Sequence, residues 1–237
     1  MTDEIFREDA YLRSCEAVVT AVGPGGIELD CTVFYPTGGG QPGDTGSLRR
    51  TNGTTVPIVD TRKGAAPGQI LHVLAPEPEG PAVGERVVVE LDWARRHRHM
   101  RMHTCLHLLC AVIPAGVTGG QVGDARSRLD FDVGELTLDK AVIETKLNEL
   151  IGANHPANPR WITDDELAAT PDLVRTMSVK PPTGQGKVRL LDIGPGVDLQ
   201  PCGGTHVKAT GEIGRVVVEK IENKGKRNRR VVVALAE

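Results

Sequence analysis

The sequence predicts an α+β protein: an N-terminal small β-barrel followed by an α+β module. Two observations predict it. Residues 14–92 read as short apolar segments punctuated by Gly and Pro clusters, and helical periodicity appears only after Asp92. At 237 residues the chain is long enough for two unequal domains and a substantial core. The change of character places their boundary at Asp92, giving residues 1–92 and 93–237.

In the first module the candidate strands are "SCEAVVTAV", "GIELDCTVFY", "TGSLRR", "VPIVDTR", "QILHVL" and "ERVVVELD". Short strands at such close spacing suit a small closed or half-closed barrel. Between them, "FYPTGGGQPGDTG" carries Gly38, Gly39 and Gly40, followed by Gln41. A phosphate-cradling P-loop ends in Gly-Lys-Ser/Thr before a helix. Here Gln41, Pro42, Gly43 and Asp44 follow, with strands on both sides, so no nucleotide cofactor is expected. Three successive glycines give a tight turn whose backbone another chain or a nucleic acid can approach closely, and a plain hairpin turn explains them equally well.

The second module opens with "DWARRHRHMRMHTCLHLLCAVIP", a helix with Asp92 as candidate N-cap and with Pro114 and Gly116 beyond its end. In "LDKAVIETKLNELIG", Val142, Ile143, Leu147, Leu150 and Ile151 recur at helical spacing, with Asp139 as N-cap and Gly152 as the stop. "TDDELAA" has the form of a capping box, Thr163 with Glu166. "NHPANPRW" reads as a proline-rich connection, with His155 a loop residue. "VRLLDI", "IGRVVVEKIE" and "RVVVALAE" read as strands, the last two forming a C-terminal hairpin.

Two pairs of residues carry the chemistry. His103 and His107 lie four apart inside the first helix, and Cys202 and His206 lie four apart around Gly-Gly in "LQPCGGTHV". Four helical steps of about 100° return two rings to one face, one turn apart. Each pair alone has an ordinary explanation, half-buried histidines or a buried thiol in a turn. Two matching pairs drawn from only seven His and five Cys point instead to one metal site assembled by the fold. A Cys/His set of this kind suits tetrahedral zinc.

Cys15, Cys31, Cys105 and Cys110 read as buried thiols. An odd number of cysteines without regular spacing suits a reducing compartment. No apolar run reaches the roughly 18 residues that span a bilayer, and no basic-then-apolar leader opens the chain. A cytoplasmic location without membrane contact is therefore expected.

A net charge of −3 and 3% aromatic residues exclude a uniformly basic surface and a grip on single strands through many stacked rings. Two local patches are basic. "RRHRHMR" contains Arg95, Arg96 and Arg98, and "KIENKGKRNRR" contains Lys224, Lys226, Arg227, Arg229 and Arg230. A charge run is ordinarily a solvated face. Two of them in the metal-bearing module nevertheless suit a phosphate-rich partner such as RNA.

Taken together, "FYPTGGGQPGDTG", "HTCLH", "RLDFDV" and "PCGGTHV" resemble the freestanding alanyl-tRNA editing proteins, the AlaX family in its medium form, which are relatives of the editing domain of alanyl-tRNA synthetase. The resemblance covers nearly the whole chain. It implies a β-barrel followed by an α+β zinc-containing editing domain, with one Zn2+ per chain held by His103, His107, Cys202 and His206. The implied activity is trans-editing: hydrolysis of tRNA(Ala) mischarged with serine or glycine. Gln121 falls where the family places a polar residue of the amino-acid pocket. Gln121 and Thr205 are candidates for hydrogen-bonding a serine hydroxyl, partners that alanine would leave unpaired.

Three protein ligands would leave an open position for a water of lowered pKa, whereas four would close the shell. The metalloprotease pattern H-E-x-x-H is absent, and these motifs assign no general base. A non-catalytic zinc-stabilised tRNA-binding module is the alternative reading.

Overall fold

In the computed structural model, which describes residues 2–76, 80–177 and 186–236, the chain divides into two units, Met1–His97 and Arg98–Glu237. The division falls inside the first long helix rather than at Asp92.

Apolar residues at every second position build the first unit. Its strands are β1 (Asp3–Glu4), β2 (Ser14–Gly23), β3 (Gly26–Leu29), β4 (Cys31–Thr32), β5 (Gly46–Arg50), β6 (Thr55–Lys63), β7 (Ile70–Leu74) and β8 (Arg86–Leu91). Six of them close into an antiparallel barrel in the order β2-β3-β7-β6-β5-β8. Ala17 and Val19, Ile27 and Leu29, then Val87, Val89 and Leu91 alternate inward and meet Leu48, Ile58 and Phe34 in one core. The run "GIELDCTVFY" is not one strand. Asp30 interrupts it, because its carboxylate accepts the backbone N–H of Val18 (2.7 Å) and of Cys31 (2.9 Å). Cys15 and Cys31 are half-buried rather than buried.

The glycine run is a turn. Gly38 and Gln41 exchange backbone hydrogen bonds of 3.1 and 2.9 Å, and Gly39 and Gly40 take φ of 56° and 82° between them. Two successive positive φ values are the requirement of a type I′ turn, which only residues without a Cβ meet at no cost. Gly43 is required for another reason: a Cβ there would lie 2.0 Å from the carbonyl oxygen of Thr61.

Asp92 caps α1 (Trp93–Val112) as expected, its side chain accepting the Arg95 N–H at 3.1 Å. The first turn of α1 belongs to the barrel unit. Arg96, expected as a nucleic-acid contact, is instead fully buried. Its guanidinium donates to Asp44 (Nε at 3.0 and 2.9 Å from the two carboxylate oxygens) and to the carbonyls of Ala10 (3.0 Å) and Val33 (2.7 Å). A buried cation must spend its donors inside the protein, so this arginine has none left for a phosphate. Arg95 is half-buried and donates to the Gly43 carbonyl at 2.6 Å, whereas Arg98 is exposed.

In the second unit β9 (Gly116–Gln121) and β10 (Arg126–Asp132) precede α2 (Lys140–Gly152), followed by β11 (Ala157–Thr163), α3 (Asp164–Ala169), β12 (Lys187–Ile193), β13 (Asp198–Pro201), β14 (Val216–Asn223) and β15 (Asn228–Leu235). The strands form a four-stranded sheet, β14-β15-β10-β9, and a three-stranded sheet, β11-β12-β13. The C-terminal hairpin is β14–β15, as the sequence predicts.

Asp139 caps α2 by accepting the Val142 N–H at 3.0 Å, and the Thr163–Glu166 capping box opens α3. α2 buries Ile143, Leu147 and Ile151, a stripe of four-residue steps that leaves Val142 half in solvent at 50% exposure. The left-handed residue beyond α2 is Asn154 (φ 51°), not Gly152. "NHPANPRW" is largely strand β11. Pro159 is tolerated there because β11 is the edge strand of its sheet, beside β12. Among the described residues no helix is long and apolar enough to cross a membrane.

Replacing Asp44 with Ala leaves the Arg96 guanidinium buried without its counter-charge. The expected loss is about 3–5 kcal/mol of unfolding free energy, measured by urea denaturation. His72, buried in the barrel with its Nε2 2.8 Å from the Thr32 hydroxyl, is held by desolvation at a pKa of about 4, against an ordinary 6.5. The unfolded chain therefore takes up a proton at higher pH than the folded one. Stability should be full above pH 6.5 and fall as the pH drops toward 4, and a denaturation series in His72→Gln should show a weaker fall over that window.

Candidate metal centre

α1 buries most of its length after the first turn: Met100, Met102, Cys105, Leu106, Leu108 and Leu109 are all in the core. His103 and His107 share that buried surface one turn apart, with ring centroids separated by 5.5 Å. The second pair arrives on the loop that leaves β13. Arg189 in β12 fixes this loop three times. Its carbonyl accepts the Cys202 N–H at 3.0 Å, and its guanidinium donates to the carbonyls of Cys202 (2.8 Å) and Gly204 (3.0 Å).

The His206 ring then lies 4.4 Å from that of His103 and 5.1 Å from that of His107. Cys202 Sγ lies 3.6 Å from His103 Nε2 and 3.2 Å from His206 Nε2. The four potential ligand atoms all fall within 4.8 Å of one another. Both sequence pairs therefore meet at one point.

Two neighbours set which ring nitrogen faces the cluster. The Thr104 hydroxyl donates its single proton to the Met100 carbonyl (2.9 Å), so at 3.2 Å from His206 Nδ1 it can only accept. His206 thus carries its proton on Nδ1 and turns the Nε2 lone pair toward the thiol. His107 Nδ1 donates to the Asp198 carboxylate at 2.8 Å, and Asp198 is itself held by Gln200 Nε2 at 2.6 Å. A carboxylate or hydroxyl behind a histidine is the arrangement that orients ligating imidazoles.

The electrostatics agree. Desolvation alone would raise the Cys202 thiol, but the imidazoles of His103, His206 and His107 together hold it well below the ordinary value. Desolvation keeps His206 neutral, with a pKa of about 3. For His107 desolvation is outweighed by the Cys202 and Asp198 charges, which lift it to about 10. A metal ion would take the place of the His107 proton, and the four residues could hold one.

Two family descriptions match the chain. "Threonyl and Alanyl tRNA synthetase second additional domain" matches residues 188–232, the segment that contains Cys202 and His206, and "tRNA synthetases class II (A)" matches residues 7–95. Alanyl-tRNA editing protein AlaX-M of Methanosarcina mazei is 40% identical over 100% of this chain and 98% of its own length. The protein of the same name in Saccharolobus solfataricus is 35% identical over 98% of each. The chain belongs to the AlaX-M family of alanyl-tRNA editing proteins. It is also similar to an alanine–tRNA ligase of Pyrobaculum arsenaticum, 36% identical over 93% of this chain but only 25% of the ligase.

In this AlaX-M family member the other expected site residues are scattered. Thr205 is fully buried in the loop beside His206. Gln121 is exposed at the end of β9, with its carbonyl oxygen 3.4 Å from Arg128 Nε. Of the hairpin cations, Arg230 pairs with Asp130 (2.8 Å), Arg227 with Asp132 (3.0 Å) and Lys224 with Glu222 (3.1 Å). Arg229 donates to the Asn223 side chain at 2.8 Å, and Lys226 is exposed. Thr104, Asp198, Gln200 and Arg189 escaped the sequence reading. Only Asp198, four residues before Cys202, offered any signal there, and an isolated Asp next to Gly and Val is a weak one.

Replacing Cys202 with Ala should abolish stoichiometric metal in the purified protein, read by elemental analysis. Because the ion displaces a proton from His107, affinity should rise with pH up to about 10, by about tenfold per unit. Calorimetry in buffers of different ionisation enthalpy should show about one proton released per ion.

Proposed function

We propose that this protein is a trans-editing deacylase that hydrolyses mischarged tRNA(Ala), chiefly seryl- and also glycyl-tRNA(Ala), at a zinc centre of His103, His107, Cys202 and His206. The observation that carries the proposal is the convergence of these four side chains within 4.8 Å, in a chain similar along its full length to proteins named for alanyl-tRNA editing. One thiolate and three imidazoles are the donor set of zinc rather than of the oxygen-seeking Mg2+ or Ca2+. When bound, zinc supplies a Lewis acid that polarises an ester carbonyl or a water molecule.

The chain's own residues do the rest. Asp198 and Thr104 hold His107 and His206 in one tautomer, and Arg189 holds the loop that presents Cys202. The Thr205 hydroxyl and the Gln121 amide are the groups we assign to recognition of a serine hydroxyl. A site built around such a hydrogen bond rejects the analogue that lacks it. Arg95, Arg98, Lys224, Lys226, Arg227, Arg229 and Arg230 are assigned to the tRNA backbone. All five cysteines are free, which supports a cytoplasmic location.

Four donors rather than three favour one rival, a closed zinc shell that only stabilises a tRNA-binding module. Incubation with seryl-tRNA(Ala) separates the two. Deacylation is expected and should be lost in Cys202→Ala with retained fold, and Gln121→Ala should erode the preference for seryl over alanyl ester. Zinc and tRNA binding without turnover under any condition would establish the rival.

A further inference from the structure

The outer face of the sheet β14-β15-β10-β9 holds a second feature, which the metal cluster does not line. Alternation places Arg126, Arg128 and Asp130 of β10 on that face, while Ser127, Leu129 and Phe131 point to the core. Pairing then lays two rows across all four strands. One row runs Gln121, Arg128, Val232, Lys220, and the next runs Gly119, Asp130, Arg230, Glu222. Between Arg128 and Lys220 lies a groove of about 310 Å³, lined also by Arg126, Arg230, Glu222 and Gln121. Val232 forms its floor. Although this valine is on the outer face, it is only 6% exposed, and Arg126, Arg128, Lys220 and Arg230 line the groove with it.

The charges in this groove do not cancel. Asp130 sits between Arg128 (2.9 Å) and Arg230 (2.8 Å), and Glu222 sits between Lys220 (2.6 Å) and Lys224 (3.1 Å). Each carboxylate has two cations to neutralise, so each group keeps one positive charge in excess. Arg126, two-thirds exposed, pairs with Glu219 at 2.8 Å. This excess stands out in a chain of net charge −3.

We propose that this groove binds the phosphodiester backbone of RNA, with Arg126, Arg128 and Lys220 as phosphate donors, the two arginines lying outside the basic runs of the sequence. The spacing favours a polymer over a lone anion. Arg128 and Lys220 stand two strand intervals apart, about 10 Å, and the exposed Lys224 and Lys226 carry the charge on to the hairpin tip. Donors for one small anion converge on a point, whereas donors in a row match successive phosphates. The apolar Val232 floor between them offers a surface for a ribose. The carboxylates hold the guanidinium and ammonium groups in position before RNA arrives, which lowers the ordering cost of binding. This inference rests on tRNA being the partner.

The test uses uncharged tRNA and reads no hydrolysis. The double variant Arg126→Gln, Lys220→Gln is compared with the native protein in filter binding over a salt series. Each phosphate contact removed should lower the slope of log K against log salt by roughly 0.7–0.9, so the double variant should lose about 1.5 and bind roughly tenfold more weakly at moderate salt. Metal content and thermal unfolding serve as controls for the fold. Should the double variant unfold, Lys220→Gln alone carries the test, with a slope change of about one. An unchanged slope and affinity overturn this inference alone, while absence of tRNA binding by the native protein overturns it together with the editing reading. Loss of binding to phosphatidylserine vesicles with tRNA affinity intact would make the face a membrane contact and also overturn it.

Discussion

The convergence of two chain segments on one cluster is the constraint that the second unit is built around. Cys202 and His103 are 99 residues apart in sequence yet have their donor atoms in contact. An α-helix presents two imidazoles one turn apart at no further conformational expense, but a loop has to be held. Arg189 holds it through three backbone hydrogen bonds from the neighbouring strand, and Thr104 reaches it from the helix side through the Val207 N–H at 3.3 Å. Asp198 and Thr104 then fix the ring nitrogens. Polar groups in so buried a place must each have a partner, so the partners are also what aim the site.

The barrel unit illustrates the same rule with a different outcome. Arg96 and Asp44 are both fully buried and satisfy each other together with three backbone groups: the Ala10 and Val33 carbonyls and the Tyr35 N–H. Breaking such a pair is costly, although its formation contributes little, so it acts as a specification of where the first turn of α1 must lie. The run "RRHRHMR" consequently has divided fates. Arg96 goes to the barrel interior, Arg98 to the surface, and His103 further along to the His/Cys cluster. A charge run in sequence does not state which of its members will reach solvent.

Charge on the sheet β14-β15-β10-β9 follows from strand alternation. Arg126, Arg128 and Asp130 look like an unremarkable mixture when read along the chain, since opposite signs are interleaved with apolar residues. Folded into a sheet, they stand on one face with Arg230, so that two cations flank Asp130. The excess is local, set by cross-strand register, and invisible in a total of −3.

The sequence alone determined the features that depend on neighbours in the chain. These are the helix caps at Asp92, Asp139 and Thr163, the alternation of the barrel strands, the hairpin of β14 and β15, and the two His/Cys pairs of four-residue spacing. Each reflects backbone periodicity or a short-range hydrogen bond, which residue type and spacing dictate. Tertiary structure decided the features that depend on distant partners: the burial of Arg96, the strand character of the Pro159 segment at a sheet edge, the contacts of Thr104, Asp198 and Arg189 behind the His/Cys cluster, and the sheet-face groove. In each case the deciding quantity is burial or cross-strand register. Both are set by which segments the core brings together, and a linear reading contains no measure of that.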